Sequence, residues 1–505
     1  MADSNVMRLS SLLFANRSLP WSFVLVLVSL VGSYIVANAI YSLTLHPLAD
    51  IPGPKLCAIS RIPYWLVYVK GRDIYWMHKL HNRYGPVVRF GPTDLSYITA
   101  EAWRDINAEK GGRDNEKAQE VFVQPMNGVP SVVGASKENH TRVRRLFSPA
   151  FSERAIRKQE VIFQKYVDIL MYKLHEHGGG EAPLEMTGFF NFTTFDVMAD
   201  LCFGRPLGLL AKNEFNPWVR AVFEALEFLP FASMIGYYPL LKAVVMRFEP
   251  KWLEEQRTAF GKYAADLVDQ RLQDGSDKPD FWNLVMAAQG SDKGLSLDEM
   301  HSNADLFMMA GSETTATLLS GLTYYLLVNP DKMEYICEEI RGKFSSTEQI
   351  NLDSIAHLKY TNACIKEALR IYPPAPASFP RVISDGGHIV LGRWIPPKTR
   401  VSVSHYATYH SETNFKNPET FAPERWLGDP IYAGDIRDAH QPFSWGSRNC
   451  LGQNMAMHEM RLILVTMLFT FDLELCEESR NWPDQRACAL WLKNPLMCRL
   501  KPVAR

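Results

Sequence analysis

The sequence predicts a mainly α-helical protein with small β-sheets, preceded by one transmembrane helix. An uncharged apolar segment stands near the N-terminus, helical patterns fill most of the chain after it, and strand-like pieces such as 87–90 and 400–404 are short. With 505 residues, 47% of them hydrophobic, the chain can bury a large core. Because no repeat, low-complexity tract or second linker follows, we expect a single domain over residues 61–505.

Charge and cysteine usage exclude several functional classes. The net charge of −1 favours neither nucleic acid nor a strongly anionic surface, so no nucleic-acid partner is expected. The eight cysteines contain no C-x-x-C pair, which gives no support to a zinc or thioredoxin-type site. Their scatter indicates reduced thiols, most of them buried as small apolar residues.

Residues 21–43 are predicted to form a membrane anchor. No charged side chain lies between Arg17 and Asp50, and the apolar run within this interval is long enough to span a bilayer as a helix. A cleaved signal peptide is the alternative, because the segment 37–39 reads A-N-A, the form of a cleavage site. The apolar run continues beyond that segment, which favours an uncleaved anchor.

The anchor separates an N-terminal flank, residues 1–20, from a proline-rich hinge, residues 44–60. The hinge contains three prolines and one glycine. Proline restricts its own backbone and that of the preceding residue. We therefore expect an extended, stiff connection that holds the domain at a set angle to the membrane.

The longest helix is predicted to begin after Ser296. Ser296 and Glu299 form a capping-box pattern, and no proline follows until Pro330, which gives a helix of about 32 residues and about 48 Å. Its middle is apolar nearly all round and is expected to be buried. The segment A-G-S-E-T-T at 310–315 places a glycine, a glutamate and threonines there, and each of these residue types is unfavourable in the interior of a buried helix. They indicate a functional site or, alternatively, a notch for close helix packing.

A second helix is predicted to end at the prolines of K-E-A-L-R-I-Y-P-P, residues 366–374. Within it Glu367 and Arg370 are spaced to share one helix face. Arg425, in the segment P-E-R-W, is a further candidate partner for Glu367. The pattern fits a buried charge network that fixes geometry, or a surface ion pair of little net value.

Cys450 is the cysteine with a distinctive context, F-S-W-G-S-R-N-C-L-G at residues 443–452. It precedes a predicted helix, whose positive end favours the thiolate. A nucleophile would need a histidine, and structural zinc three more ligands, and no local pattern supplies either. A single axial thiolate suits haem iron, and Arg448 can pair with a haem carboxylate.

These motifs together resemble those of the cytochrome P-450 family of haem-thiolate monooxygenases. The chain meets F-x-x-G-x-R-x-C-x-G, then A-G-x-E-T-T, E-x-x-R and P-E-R-F/W, in the family's order along the sequence. The resemblance covers nearly the whole chain and implies the family's α-rich triangular fold with small sheets. The proline-rich hinge is similar to that of microsomal filamentous-fungal members, many of which act in secondary metabolism.

The resemblance implies a role for each matched residue. Cys450 corresponds to the axial ligand of haem b, with Phe443 shielding the sulfur. Glu313 and Thr314 correspond to the acid–alcohol pair that delivers protons during oxygen activation, and Gly311, beside Ala310, makes room for O₂. The expected haem-binding residues outside this set are Gly446, Gly452, Arg448, Arg381, Arg144 and His140, the last replacing a usual tryptophan.

The resemblance also implies partners and location. We expect a single-pass protein of the endoplasmic reticulum membrane with a cytosolic catalytic domain. Electrons come from NADPH through a separate reductase, with cytochrome b5 as an additional donor. Basic residues on the thiolate face, such as Arg142, Arg145 and Arg461, are candidates for docking that reductase.

The substrate is expected to be an apolar molecule of medium to large size. By family position, three segments line its pocket, residues 122–130, 223–231 and 375–379, together with Phe307 and Met308. Two other classes stay open: a haem-thiolate enzyme that couples or rearranges its substrate without oxygen insertion, and a non-catalytic haem-binding protein.

Overall fold

The computed structural model describes residues 21–109, 115–119, 127–178, 182–248, 251–275, 280–287 and 294–504. Within these residues helices predominate. They are α1 Trp21–Ile40, α2 Lys55–Ile59, α3 Ile62–Tyr68, α4 Asp73–Tyr84, α5 Ala100–Asn107, α6 Lys137–Phe147, α7 Glu153–Gly178, α8 Met186–Phe203, α9 Leu209–Lys212, α10 Pro217–Tyr237, α11 Pro239–Arg247, α12 Lys251–Asp274, α13 Phe281–Ala287, α14 Leu297–Leu327, α15 Pro330–Lys343, α16 Leu352–Ala356, α17 Lys359–Ile371, α18 His405–Tyr409 and α19 Gln453–Thr470.

The strands are short, as predicted. They are β1 Val87–Gly91, β2 Asp94–Tyr97, β3 Glu116–Lys117, β4 Leu184–Glu185, β5 Arg381–Val382, β6 His388–Val390, β7 Arg393–Ile395, β8 Arg400–Val403, β9 Phe471–Leu475, β10 Arg486–Cys488, β11 Leu490–Leu492 and β12 Met497–Pro502. The mainly α-helical class with small sheets is therefore confirmed.

The largest described sheet has the strand order β1-β2-β8-β5-β3. Strands β2 and β8 are parallel, with Leu95 opposite Val401, whereas the other neighbours run antiparallel. Leu95 and Val401 are fully buried, so one side of this sheet closes a core. A three-stranded sheet, β4-β12-β9, and the hairpins β6-β7 and β10-β11 complete the described strands.

Helix α14 runs through the centre of the domain. It begins at the predicted capping box. The Ser296 hydroxyl accepts a hydrogen bond from the Glu299 backbone N–H, and the Glu299 carboxylate accepts one from the Ser296 backbone N–H. Its neighbours include α8, α12 and α19. All 18 residues of α8 are buried, which explains why that helix is apolar without a polar face.

The predicted apolar helix is present at the N-terminal end. α1 continues through a π-helical turn, Tyr41–Leu45, and its side chains are exposed; Tyr34, for example, is 72% exposed. Among the described residues, the segment Leu25–Leu45 is the one helical stretch that by itself is long and apolar enough to cross a membrane. Helices α10 and α11, bent by 116° at their junction, meet the same criterion only together.

The proline-rich hinge is turned and packed, where an extended spacer was expected. Residues 47–50 form a turn, and Arg89 of β1 donates hydrogen bonds to the carbonyls of Ser42 and Leu48. A Cβ added at Gly53 would lie 2.1 Å from the carbonyl oxygen of Arg89. The glycine therefore permits the hinge to lie directly on the sheet. Contacts with the sheet fix the position of the hinge, and the proline content of the sequence does not predict them.

Candidate active site

The segment 443–452 forms a closed loop before α19. The Cys450 N–H donates to the Phe443 carbonyl at 2.8 Å, and the Asn449 N–H donates to Gly446 at 3.1 Å. Gly446 has φ = +82°, and an added Cβ would lie 2.2 Å from the carbonyl oxygen of Asn107. Glycine is therefore required at 446, both for the backbone conformation and for the contact with α5.

Cys450 combines accessibility with an enclosed environment. It is the exposed member of the eight cysteines; six are buried and Cys337 is partly exposed. Desolvation nonetheless raises the pKa of its thiol, while the Gly452 backbone N–H and the charges of Arg144 and Lys117 oppose this rise. The sulfur is thus accessible yet surrounded by protein, with a donor and two cations that favour the thiolate.

Unlike Gly446, Gly452 is not required by backbone conformation or by contacts within the protein. Its φ is −87°, which any residue adopts, and an added Cβ would meet only the Phe151 ring, at 3.9 Å. The protein itself gives no steric reason for glycine here. A flat group approaching the sulfur would supply one, because it would need the space that a side chain fills.

Three predicted arginines are fixed around the loop by hydrogen bonds. Arg144 donates to the carbonyl and side-chain oxygens of Asn449, each at 2.6 Å. Arg448, 7% exposed, donates to Ala135 O at 3.0 Å. Arg381, 2% exposed, donates to Asn107 Oδ1 and Asn115 O at 3.2 Å. The structure therefore brings these separated sequence positions together.

Lys117 joins this group and was missed by the sequence analysis. It lies opposite Arg381 in the β3–β5 pairing. Burial lowers its pKa to about 7, assisted by the charges of Arg381, Arg448 and Arg144, while Cys450 acts in the opposite direction. A two-residue strand reading E-K carries no motif, so only the strand pairing identifies this ammonium as part of the site.

His140 lies in the same electrostatic environment and is 7% exposed. Its pKa is lowered to about 4, chiefly by burial and in addition by the charges of Arg448 and Arg144. The imidazole is therefore neutral near pH 7 and adds no positive charge. Three arginines, a partly protonated Lys117 and a nearby thiol suit a ligand that carries two carboxylates and a metal, as haem does.

One side of α14 is accessible in the middle of the helix, between largely buried residues. Ala310 is exposed, and Leu306, Met309, Gly311 and Thr314 are partly exposed. The Thr314 hydroxyl donates to the Ala310 carbonyl at 2.7 Å, the local bond that bends helices. The predicted A-G-S-E-T-T segment thus lies where the central helix opens.

Gly311 has a packing role in addition to the one expected. A Cβ added there would lie 2.5 Å from the Met198 sulfur. The missing side chain therefore lets α8 approach α14 closely. The notch interpretation left open by the sequence is correct for this residue, and it does not conflict with an accessible helix face at Ala310.

Glu313 and Thr314 are not hydrogen-bonded to each other. Glu313 is 1% exposed, and its Oε1 accepts bonds from the Lys493 ammonium and, at 3.4 Å, from the Thr317 hydroxyl. Burial raises the pKa of Glu313, and Lys493 is the main opposing influence. Lys493 was not among the predicted site residues, because it lies 180 positions from Glu313 in an unremarkable loop.

The expected substrate-lining residues have mixed positions. Phe307 and Met308 are in the core, and Phe307 stacks edge-on against Phe147 at 4.7 Å, so their assignment to a pocket was wrong. Helix period explains the error, since the accessible positions of α14 are 306, 309 and 310. Phe228 and Phe379 are exposed, at 68% and 39%, and residues 122–126 lie outside the described residues.

Two of the proposed docking arginines are already engaged. Arg142 donates to Gly294 O at 2.8 Å and pairs with Glu299, and Arg461 donates to Asn362 Oδ1 at 2.6 Å. Arg145 is exposed. Among the three, Arg145 is therefore the residue best suited to contact a partner.

Comparison with known proteins gives a consistent result. The family model Cytochrome P-450 matches residues 52–499. The chain is 41% identical over 479 residues to cytochrome P-450 monooxygenase lcsI from Purpureocillium lilacinum, covering 94% of this chain and 93% of the relative. It is 42% identical to monooxygenase efuB from Hormonema carpetanum, covering 94% and 95%, and 39% identical to averantin hydroxylase from Dothistroma septosporum, covering 93% and 89%.

Proposed function

Because this chain belongs to the cytochrome P-450 family of haem-thiolate monooxygenases, we propose that Cys450 is the thiolate ligand of its haem and that the protein oxidises an apolar secondary metabolite. The supporting observation is the environment of Cys450, an accessible sulfur enclosed by protein, where the charges of Arg144 and Lys117 and the Gly452 backbone N–H favour the thiolate. Haem held by a cysteine thiolate activates O₂, which is the chemistry the bound group supplies. Glu313 and Thr314 are the proposed proton-delivery residues.

The side chains around the sulfur would hold and orient the haem. Arg144, Arg381, Arg448 and Lys117 would bind its two carboxylates, and the existing hydrogen bonds of the three arginines to backbone carbonyls and asparagines would reduce the entropy lost on binding. The Gly452 N–H donates to the sulfur and tempers its charge. Phe443 is partly exposed and would shield the sulfur, and His140 would be available to the haem as a neutral imidazole.

The accessible side of α14 forms the oxygen side of the site. Leu306, Met309 and Ala310 present an apolar surface there, and Thr314 holds a hydroxyl proton at Oγ1. This surface supports an apolar substrate of medium to large size. The name of one relative, a hydroxylase of averantin, supports hydroxylation as the reaction type.

The first experiment is a reduced carbon-monoxide difference spectrum of the purified protein. The parent should give the strongly red-shifted Soret band of a thiolate-ligated haem, and Cys450→Ala should lose it. Cys337→Ala, at the partly exposed cysteine, is the matched control and should keep the band. A band of the histidine type in the parent, or its persistence in Cys450→Ala, would refute the assignment.

A second experiment tests the reaction. Reconstitution with a NADPH-dependent reductase and an apolar substrate, selected by its spin-state shift, should incorporate one atom from ¹⁸O₂ into the product. Oxidised product without ¹⁸O would favour oxidative coupling instead. Arg145→Glu should raise the KM for the reductase, whereas Arg83→Glu, also exposed, should not.

Residues 21–43 anchor the protein in the endoplasmic reticulum membrane, and residues 61–505 form the cytosolic catalytic domain. Exposed apolar side chains in the hinge and shortly after it, Leu56 at 71% and Leu66 at 59%, support a bilayer close to this part of the molecule. Protease added to intact microsomes should digest the domain. An intact N-terminus by mass spectrometry would exclude cleavage after Ala39.

A further inference from the structure

The buried ion pair between Glu313 and Lys493 connects the central helix to the C-terminal region. Lys493 lies between β11 and β12, and its ammonium contacts Glu313 Oε1 and, at 2.9 Å, Thr317 Oγ1. The two charged side chains are 4% and 2% exposed. An ion pair this deep is costly to desolvate, so geometry is a stronger reason for its presence than stability.

The pair determines where the Glu313 carboxylate points. Its Oε1 is engaged by Lys493 and Thr317, while its Oε2 is buried with no hydrogen-bond partner among the described residues. The Thr314 hydroxyl meanwhile donates to Ala310 O. The proposed acid is therefore held one helical turn along, at Thr317, and not at the Thr314 hydroxyl.

Among the described residues, two ionisable groups interact electrostatically with Glu313. Lys493 faces it from the loop between β11 and β12, and Tyr372 faces it from the end of α17. The Tyr372 hydroxyl bonds to Gln485 Oε1 at 2.7 Å, and burial raises its pKa, so the phenol stays neutral. Lys493 is thus the positive charge that balances Glu313.

We propose that Lys493 is a positioning residue for Glu313, which holds the carboxylate at Thr317 and must release it before the acid can serve Thr314. This inference rests on the proposed monooxygenase function. Lys493 opposes the rise that burial causes in the pKa of Glu313 and so favours the ionised carboxylate in its resting position. The C-terminal loop thereby controls proton supply on the oxygen side of the site.

Infrared difference spectroscopy tests the resting arrangement without turnover. Subtracting Glu313→Gln from the parent isolates the carboxyl band of Glu313, which is followed against pH. Without its cationic partner a buried carboxylate is protonated more easily, so in Lys493→Met the midpoint should rise by about one pH unit or more. Lys493→Arg retains the charge and should restore the parent midpoint. An unchanged midpoint in Lys493→Met would overturn the proposal.

The functional consequence is measured as the share of NADPH electrons released as hydrogen peroxide, from pH 6 to 9. In Lys493→Met the pH profile of this share should shift by the same amount as the infrared midpoint, and Lys493→Arg should rescue it. A profile whose midpoint stays at the parent value would overturn the proton-supply role, because a purely structural defect changes the peroxide share at every pH without moving the midpoint.

Two controls separate the possible failures. The double variant Glu313→Gln/Lys493→Met removes both charges and should fold even where Lys493→Met is unstable; its peroxide share should not depend on residue 493. Absence of the thiolate haem band in the parent would refute the proposed function, and the infrared titration would still decide whether Lys493 controls Glu313.

Discussion

The carboxylate of Glu367 accepts a hydrogen bond from Arg425 Nε at 3.0 Å, although the residues are 58 positions apart and both side chains are fully buried. The same carboxylate binds Arg370 through two bonds, of 2.7 and 3.0 Å, and Trp426 Nε1 at 2.9 Å. The motifs E-x-x-R and P-E-R-W therefore meet on one carboxylate. They join the end of α17 to the chain that leads into the Cys450 loop.

Replacing Glu367 with glutamine should strongly destabilise the protein. The substitution leaves Arg370 buried without its counter-charge and Arg425 paired with Asp435 alone, and removing one partner of a buried ion pair costs about 3–5 kcal/mol. We expect a lower urea midpoint and reduced haem content. Glu477→Gln, in the exposed pair with Arg480, is the control and should change neither. Equal effects of the two variants would contradict the network interpretation.

Glu459 makes stability depend on pH. It is 1% exposed on α19, and burial raises its pKa to about 8, with only partial opposition from the Thr315 hydroxyl. The folded state thus binds a proton that the unfolded state has released between about pH 4.5 and 8, and this group lowers stability as pH rises through that range.

The variant Glu459→Gln tests this, because its amide stays neutral. Its stability relative to the parent should increase from about pH 4.5 to 8 and remain constant above. Urea denaturation at pH 6 and 8.5 is the measurement. A difference between variant and parent that is the same at both values would show that Glu459 does not titrate as stated.

Two glycines of α14 should respond differently to alanine. A Cβ at Gly321 would lie 2.3 Å from the Tyr372 ring, which stacks on Trp491 with centroids 4.6 Å apart and cannot easily move. At Gly311 the obstacle is the flexible side chain of Met198. Overpacking costs about 1–3 kcal/mol, and alanine returns about 1 kcal/mol of helix propensity.

We therefore expect Gly321→Ala to lower the free energy of unfolding clearly and Gly311→Ala to change it little. Thermal unfolding of the haem-loaded proteins compares them directly. The reverse order would mean that Met198 is held more rigidly than the Tyr372–Trp491 stack.

Lys117→Met should weaken haem binding. A hydrogen bond to a charged group contributes about 1.5–3 kcal/mol, so haem transfer to excess apomyoglobin should accelerate by roughly tenfold or more. Lys242→Met, on the exposed side of α11, is the matched control. If both variants retain haem as well as the parent does, Lys117 does not bind a haem carboxylate.

The sequence by itself determined the fold class, the long capped helix, the apolar N-terminal helix and the family. These features depend on local interactions. The Ser296–Glu299 capping box is complete within four residues, and helix period and apolar length are read directly from the chain. The requirement for glycine at 446 also follows from local backbone conformation, although the contact with Asn107 does not.

Only the tertiary structure decided which charges meet. Lys117 reaches the site through pairing of two two-residue strands, and Lys493 reaches Glu313 from a C-terminal loop. Neither contact leaves a pattern in the sequence, because strand register and loop position result from the packing of the whole core. For the same reason the sequence analysis wrongly assigned Phe307 to a substrate pocket, whereas contacts such as that with Phe147 hold it in the core. Burial, and with it the pKa of each ionisable group, depends on contacts distant in the chain.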